Sequence, residues 1–165
     1  MSIAENLARV REQIETAARR AGRQPEEITL VAVSKTFPVA AVLEAYQAGA
    51  RDIGENRVEE AAEKIPAVNS QLRDGKLRWH LIGHLQRRKT RDALALFDLI
   101  QSVDTLRLAE TMNRHALAQK SRCPCCCKST SEMTRRNLDL RRNRATRCGA
   151  RWKKLPPSRD CVCKD

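Results

Sequence analysis

The chain has 165 residues, enough for one domain, and carries 32 Lys+Arg against 20 Asp+Glu, a formal net charge of +12. The excess is unevenly placed: residues 1–119 hold 18 basic and 16 acidic side chains, whereas residues 120–165 hold 14 and 4 together with all seven cysteines. A near-neutral first part gives no support to a nucleic-acid surface, the lack of any run of about 18 apolar residues excludes a helical membrane span, and the acid-bearing start MSIAENLARVREQI is an amphipathic helix, not a signal peptide.

Ser2 followed by Glu5 forms a capping-box pattern, and Ile3, Leu7, Val10 and Ile14 recur at helical spacing. A helix is therefore expected to open the chain and to stop at Gly22, with Pro25 just beyond. Ile28 to Thr36, ITLVAVSKT, is a β-branched run long enough for a buried strand. A helix is expected from Phe37-Pro38 through VAAVLEAYQAG, then a short strand RDIGENRV and a second helix EEAAEKIPAV. Leu77 to Leu85 (LRWHLIGHL) reads as a strand and RRKTRDALALF as a helix. Asp98 to Asp104 (DLIQSVD) reads as a strand, and TLRLAETMNRHALAQ as a helix with Leu106, Ala109, Met112 and Ala116 on one face. Strands alternating with helices imply an α/β fold, a parallel sheet covered by helices and joined by right-handed crossovers. Four such units are compatible with a small doubly wound sheet or with half of an eight-stranded barrel. After Gln119 neither a period of two nor one of 3.6 continues. Large aliphatic residues nearly vanish, so residues 120–165 are expected to be a disordered tail.

In a parallel sheet, ligands bind beyond the carboxyl ends of the strands. Those ends carry Ser34 and Lys35, then Glu55, Asn56 and Arg57, then His84 and Gln86, then Ser102 and Asp104, while His80 lies within the third strand. Lys35 follows VAVS, so its stem is expected in or beside the core. Burial of a lysine stem favours the neutral amine, which can attack an aldehyde; the alternative is a strand-end lysine that snorkels to solvent. GENR supplies a glycine for close approach, an amide and both charge signs within four residues. Its plain alternative is a turn whose Glu55 and Arg57 are simply solvated. On a strand, His80 and His84 would share a face but stand about 13 Å apart, too far to hold one ion, and no metal is expected there. Arg87 to Lys89 reads as a solvated helix start.

VAVSKTFP, GENRVEEAAEK, WHLIGHLQRRK and DLIQSVDTLRLAETMN come in the order and at about the spacing of the pyridoxal-phosphate homeostasis proteins, which look like the N-terminal barrel of alanine racemase standing alone. The resemblance covers residues 1–119 almost continuously. It implies a TIM-type (β/α)₈ barrel, of which residues 1–119 are the N-terminal half, binding pyridoxal 5′-phosphate. It implies further that Lys35, in the SK motif, holds the cofactor as an aldimine, that Asn56 of GENR stands beside it, and that His80 and His84 lie near the ring side. Members are regarded as cytoplasmic, monomeric carriers or regulators of the cofactor supply rather than enzymes, so no catalytic residue is expected. A cysteine-free first part agrees with a cytoplasmic protein.

Beyond Gln119 a member would continue with a fifth strand and, later, a glycine- and serine-rich phosphate cup, neither legible in this chain. A one-base shift of reading frame accounts for the change. Consecutive cysteine codons, read one base over, force leucine, so Cys125 to Cys127 become Leu-Leu and Cys127-Lys128 becomes glutamine. RCPCCCKSTS then permits VPVLLQVNV, a good buried strand. Residues 120–165 are on this reading out of frame, and the half barrel is expected to bind cofactor weakly or not at all and to aggregate through open strand edges. The alternative is an α/β domain with a basic, cysteine-rich tail that binds metal or nucleic acid. C-P-C-C-C with a lone Cys148 and Cys161-x-Cys163 does not supply zinc-ligand spacing cleanly, and a basic run alone gives only salt-sensitive phosphate affinity.

Overall fold

Ser2 Oγ accepts the Glu5 backbone N–H at 3.2 Å and Glu5 Oε2 accepts the Ser2 N–H at 2.8 Å, so the capping box closes and helix α1 runs Ile3–Arg20. Gly22 ends it at φ +68, with the Arg23 N–H turned back onto Ala18 O at 2.9 Å. The computed structural model describes residues 1–72, 75–118 and the backbone of 125–127. After a 3₁₀ turn at Pro25–Glu27 come β1 (Val31–Val33), α2 (Val39–Gln47), β2 (Asp52–Glu55), α3 (Val58–Asn69), β3 (Arg78–Leu81), a 3₁₀ turn at Arg87–Lys89, α4 (Thr90–Leu96), β4 (Leu99–Val103), α5 (Leu106–Ala118) and β5 (Cys125–Cys127).

The five strands are parallel and ordered β1-β2-β3-β4-β5, each added beside the one before. A doubly wound sheet reverses its order at a switch point; this one does not, which decides for the barrel-type arrangement. β1 is shorter than the expected run from Ile28 to Thr36. Its ladder reaches one residue further, Ser34 N–H to Gly54 O at 2.9 Å, before the chain turns away. β5 corrects the expectation that the alternation ends at Gln119. A three-residue strand is too short to display a period, and its pairing is made by backbone groups common to all residues but proline. It pairs Ile100 with Cys125 and Val103 with Cys127, with an irregular register between them. The other tail residues lie outside the described ones, and with them the readings of a disordered or ligand-binding tail.

Register sorts the side chains by face. Ile53 stands beside Trp79, Glu55 beside Leu81, and Leu81 beside Ile100. All five are buried, and Glu55 reaches α3, so this face meets the helices. The four apolar ones belong to the core, together with Leu77, Leu85, Leu108 and Met112. The opposite face carries Val33, Gly54 and His80 in one row and Asp52 beside Arg78 in another. Val33 is 45% exposed, at the outer strand of the described sheet. No helix among the described residues is long and apolar enough to cross a membrane.

Candidate functional site

The carboxyl end of β1 turns sharply. Phe37 N–H donates to Ser34 O at 3.0 Å, closing a four-residue turn whose second residue is Lys35 and whose third, Thr36, has φ +65. That place in a turn usually belongs to glycine or asparagine, because a Cβ crowds the backbone there. Thr36 is held in it from outside: its N–H donates to Glu60 Oε1 at 2.7 Å. Lys35 itself is exposed. Its stem is not in the core, contrary to the first of the two expectations, because β1 borders the described sheet and leads straight into the turn. The lysine stands at the carboxyl rim, on the solvent side.

Behind the turn lies a buried polar cluster. Lys64 of α3, 7% exposed, donates from Nζ to Ser34 O at 2.7 Å, to Glu55 Oε1 at 2.7 Å and to Glu60 Oε1 at 2.8 Å. Ser34 Oγ donates to the same Glu55 oxygen at 2.6 Å, while Glu55 Oε2 is buried without a partner. Glu55 is therefore fully buried, not the solvated turn residue of the plain reading. Arg57, by contrast, is exposed. Burial pushes the Lys64 ammonium towards neutrality, but hydrogen bonds to Glu55 and then Glu60 outweigh it and hold its pKa above the ordinary lysine value. The Lys64 hydrogen bond, followed by the Thr36 N–H, holds the Glu60 carboxyl below its ordinary value.

Both shifts bear on stability. A lowered carboxyl stabilises the fold above its unfolded pKa of about 4.3 and loses that contribution as pH falls through the lower folded value. A raised lysine contributes below its unfolded pKa of about 10.4 and loses that only above it. The urea midpoints of the chain and of Glu60→Gln are accordingly expected to differ by a constant amount between about pH 5 and pH 9 and to converge below about pH 4.

The rim is completed by two loops in close contact. A Cβ built on Gly83 would lie 2.2 Å from Asn56 O and 2.7 Å from Asn56 Cα, so IGHL can rest on GENR only with glycine at this place. Asn56 is partly buried beneath that contact. His84 lies beyond the end of β3, largely exposed, with Nδ1 3.2 Å from Asp104 Oδ2 beyond β4. The expected strand placement of both histidines on one face thus fails for His84. His80 is deeper, buried within β3: Nε2 is 2.8 Å from Asp52 Oδ1 and Nδ1 2.9 Å from Gln101 Nε2. Since the Gln101 amide donates, Nδ1 accepts and the ring proton sits on Nε2, facing the Asp52 carboxylate. Arg78 Nε also reaches Asp52 Oδ1, at 2.8 Å.

Lys35, Asn56 and His84 are thus gathered at the carboxyl ends of the strands, while His80 is tied into the sheet below them. Gln86 accepts a hydrogen bond from Arg88 Nε, and Ser102 is buried with an unpartnered hydroxyl. Arg87 and Arg88 are exposed, as a solvated helix start should be; Lys89 pairs with Glu59. Among the described residues no group of three or more His, Cys, Asp or Glu is placed to hold a metal ion. Sequence reasoning did not single out Lys64, Glu60, Thr36 or Gln101. A signal existed for Lys64, which falls on the apolar stripe of Ala61, Ile65 and Val68, where a charge needs a partner.

The model of the family "Alanine racemase, N-terminal domain" matches residues 6–152, beyond the expected end of the resemblance at Gln119. The chain is 50% identical over 111 residues to the pyridoxal phosphate homeostasis protein of Escherichia coli, covering 67% of this chain and 47% of that protein. It is 46% identical over 112 residues to the protein of the same name from Pseudomonas aeruginosa, covering 68% and 47%. Among solved structures it is similar to PipY of Synechococcus elongatus. With pyridoxal phosphate bound, PipY gives a TM-score of 0.70 at 37% identity over 84% of this chain and 63% of that one. Without the cofactor it gives 0.67 at 42% identity, over 78% and 54%. The chain spans about half the length of the curated relatives it matches.

Proposed function

Since the chain belongs to the alanine racemase N-terminal-domain family, we propose that it binds pyridoxal 5′-phosphate through Lys35 and serves intracellular homeostasis of that cofactor, in the cytoplasm and without turnover of its own. The observation that carries this reading is an exposed lysine at the carboxyl rim of a barrel-type sheet, in a turn with a strained third residue. The similar structure with pyridoxal phosphate bound supports it. When bound, the cofactor supplies an aldehyde, and the residues present suit that group: an accessible primary amine, with Asn56 and His84 on the same rim. His80 sits a layer below, where its bond from Gln101 and its bond to Asp52 fix the tautomer it would offer. A carrier needs reversible binding, and a strand-end amine in contact with solvent allows capture and release.

On this reading the described residues hold the lysine end of the site. The outer strand of the described sheet, with its exposed Val33, is proposed to favour self-association. We also propose that residues 120–165 are read out of frame. The forced Leu-Leu-Gln falls on Cys125–Cys127, where β5 pairs with β4; the nucleotide sequence from the Gln119 codon tests this, an open second frame being the expected result. For the cofactor, purified chain incubated with pyridoxal 5′-phosphate is expected to develop an absorbance band that declines on dialysis. Lys35→Ala is expected to lack it, and a band of equal height in Lys35→Ala would contradict the assignment.

A further inference from the structure

Two residues of α3 grip the two residues that flank Lys35. Lys64 Nζ donates to Ser34 O at 2.7 Å, holding the residue before it. Glu60 Oε1 accepts the Thr36 N–H at 2.7 Å, holding the residue after it. Lys64 and Glu60 bond each other at 2.8 Å across one turn of helix, so the two grips act as one unit. A turn stabilised by its own sequence would carry glycine or asparagine in place of Thr36. This one carries a β-branched residue at φ +65, a conformation that persists only where its surroundings over-determine it. The clamp is therefore not incidental to the turn: it supplies from α3 what the turn's own sequence lacks.

We infer that Lys64 and Glu60 are positioning residues that present the Lys35 amine at the carboxyl rim. The inference rests on the proposed cofactor role only in taking that amine as the group presented. Their action is through the backbone on either side of Lys35, not through contact with what it binds. Glu55 has a separate part: buried against Lys64 at 2.7 Å, it keeps that ammonium compensated whether or not Glu60 is present. Glu60, partly exposed, can therefore be removed without leaving a buried charge unpaired.

The test uses the full chain, Glu60→Ala, and Glu63→Ala as a control on the exposed side of α3. Three quantities are read: amide exchange at Thr36, the share of borohydride-fixed pyridoxal 5′-phosphate that maps to Lys35 rather than other lysines, and reductive methylation of Lys35 by formaldehyde. Glu60→Ala is expected to speed Thr36 exchange about tenfold, because the amide loses its acceptor, and to lower the Lys35 share of cofactor label about tenfold, within the roughly 100-fold that a 1 Å misplacement can cost. Methylation, which needs only an exposed amine, is expected to be unchanged, as is every reading in Glu63→Ala. Adding Thr36→Gly to Glu60→Ala is expected to restore the label, since glycine adopts the positive φ without external support; a general packing role for Glu60 would not be rescued in this way. A Lys35 share unchanged in Glu60→Ala, or no rescue by Thr36→Gly, overturns the inference. If the unaltered chain shows no preference for Lys35, the cofactor reading fails; the clamp then falls only if Thr36 exchange is the same with and without Glu60.

Discussion

Replacing Lys64 by methionine is expected to destabilise the fold by about 3–5 kcal/mol, the range for removing one partner of a buried ion pair. The effect comes less from lost attraction than from what stays behind. Glu55 is fully buried, with one oxygen already unpartnered, and without Lys64 its other oxygen keeps only the Ser34 hydroxyl. The Ser34 carbonyl loses a donor as well. A charge of that kind inside the protein must be neutralised at a cost in free energy or exposed by opening the joint between β2 and α3. The double variant Lys64→Met/Glu55→Met leaves no buried charge in this cluster and is expected to recover most of the loss. Urea unfolding of the three chains measures this. A double variant no more stable than Lys64→Met would mean that the cluster matters for its shape and not for its charge.

Gly83→Ala is expected to be comparably severe, at or above the upper end of the about 1–3 kcal/mol typical of overpacking. The added Cβ would meet Asn56 O, Cα and C at 2.2, 2.7 and 2.8 Å, and backbone, unlike the tip of a side chain, cannot rotate away. The loops after β2 and β3 would have to separate, carrying Asn56 and His84 with them. Gly22→Ala is the matching control. Gly22 has φ +68 but nothing within 4 Å of a new Cβ, so only backbone strain of about 1 kcal/mol is expected there. Thermal midpoints should therefore fall further for Gly83→Ala. Equal shifts in the two variants would show that the contact between GENR and IGHL gives way at little expense.

Much of the architecture was legible because local chemistry and global fold agree. Ser2 and Glu5 announce α1, and apolar runs alternating with helical stripes give the strand–helix units through α5. What periodicity cannot carry is strand order, since a doubly wound sheet and a barrel segment share the same local pattern; only the pairing β1-β2-β3-β4-β5 separates them. β5 shows no period in its three residues as written, and only the shifted frame offers a strand at Cys125–Cys127. At the site, the position of Lys35 at a strand end was legible and its exposure was one of two open readings, because exposure depends on what lies across the sheet. A solvated Glu55 stayed open as the plain alternative because its partner Lys64 is nine positions away on another element, and a sequence does not display such pairings. The His80 and His84 spacing was read as one strand face, but β3 stops at Leu81 and sends the two rings to different depths.

The most direct measurement of the central claim is the position of the cofactor on the chain. Pyridoxal 5′-phosphate is mixed with the purified protein, fixed with borohydride, and the labelled peptide identified by mass spectrometry. The label is expected to concentrate on Lys35, and in Lys35→Ala to fall to the level of the remaining exposed lysines. A label spread evenly over the lysines, or one that survives Lys35→Ala undiminished, would contradict the account.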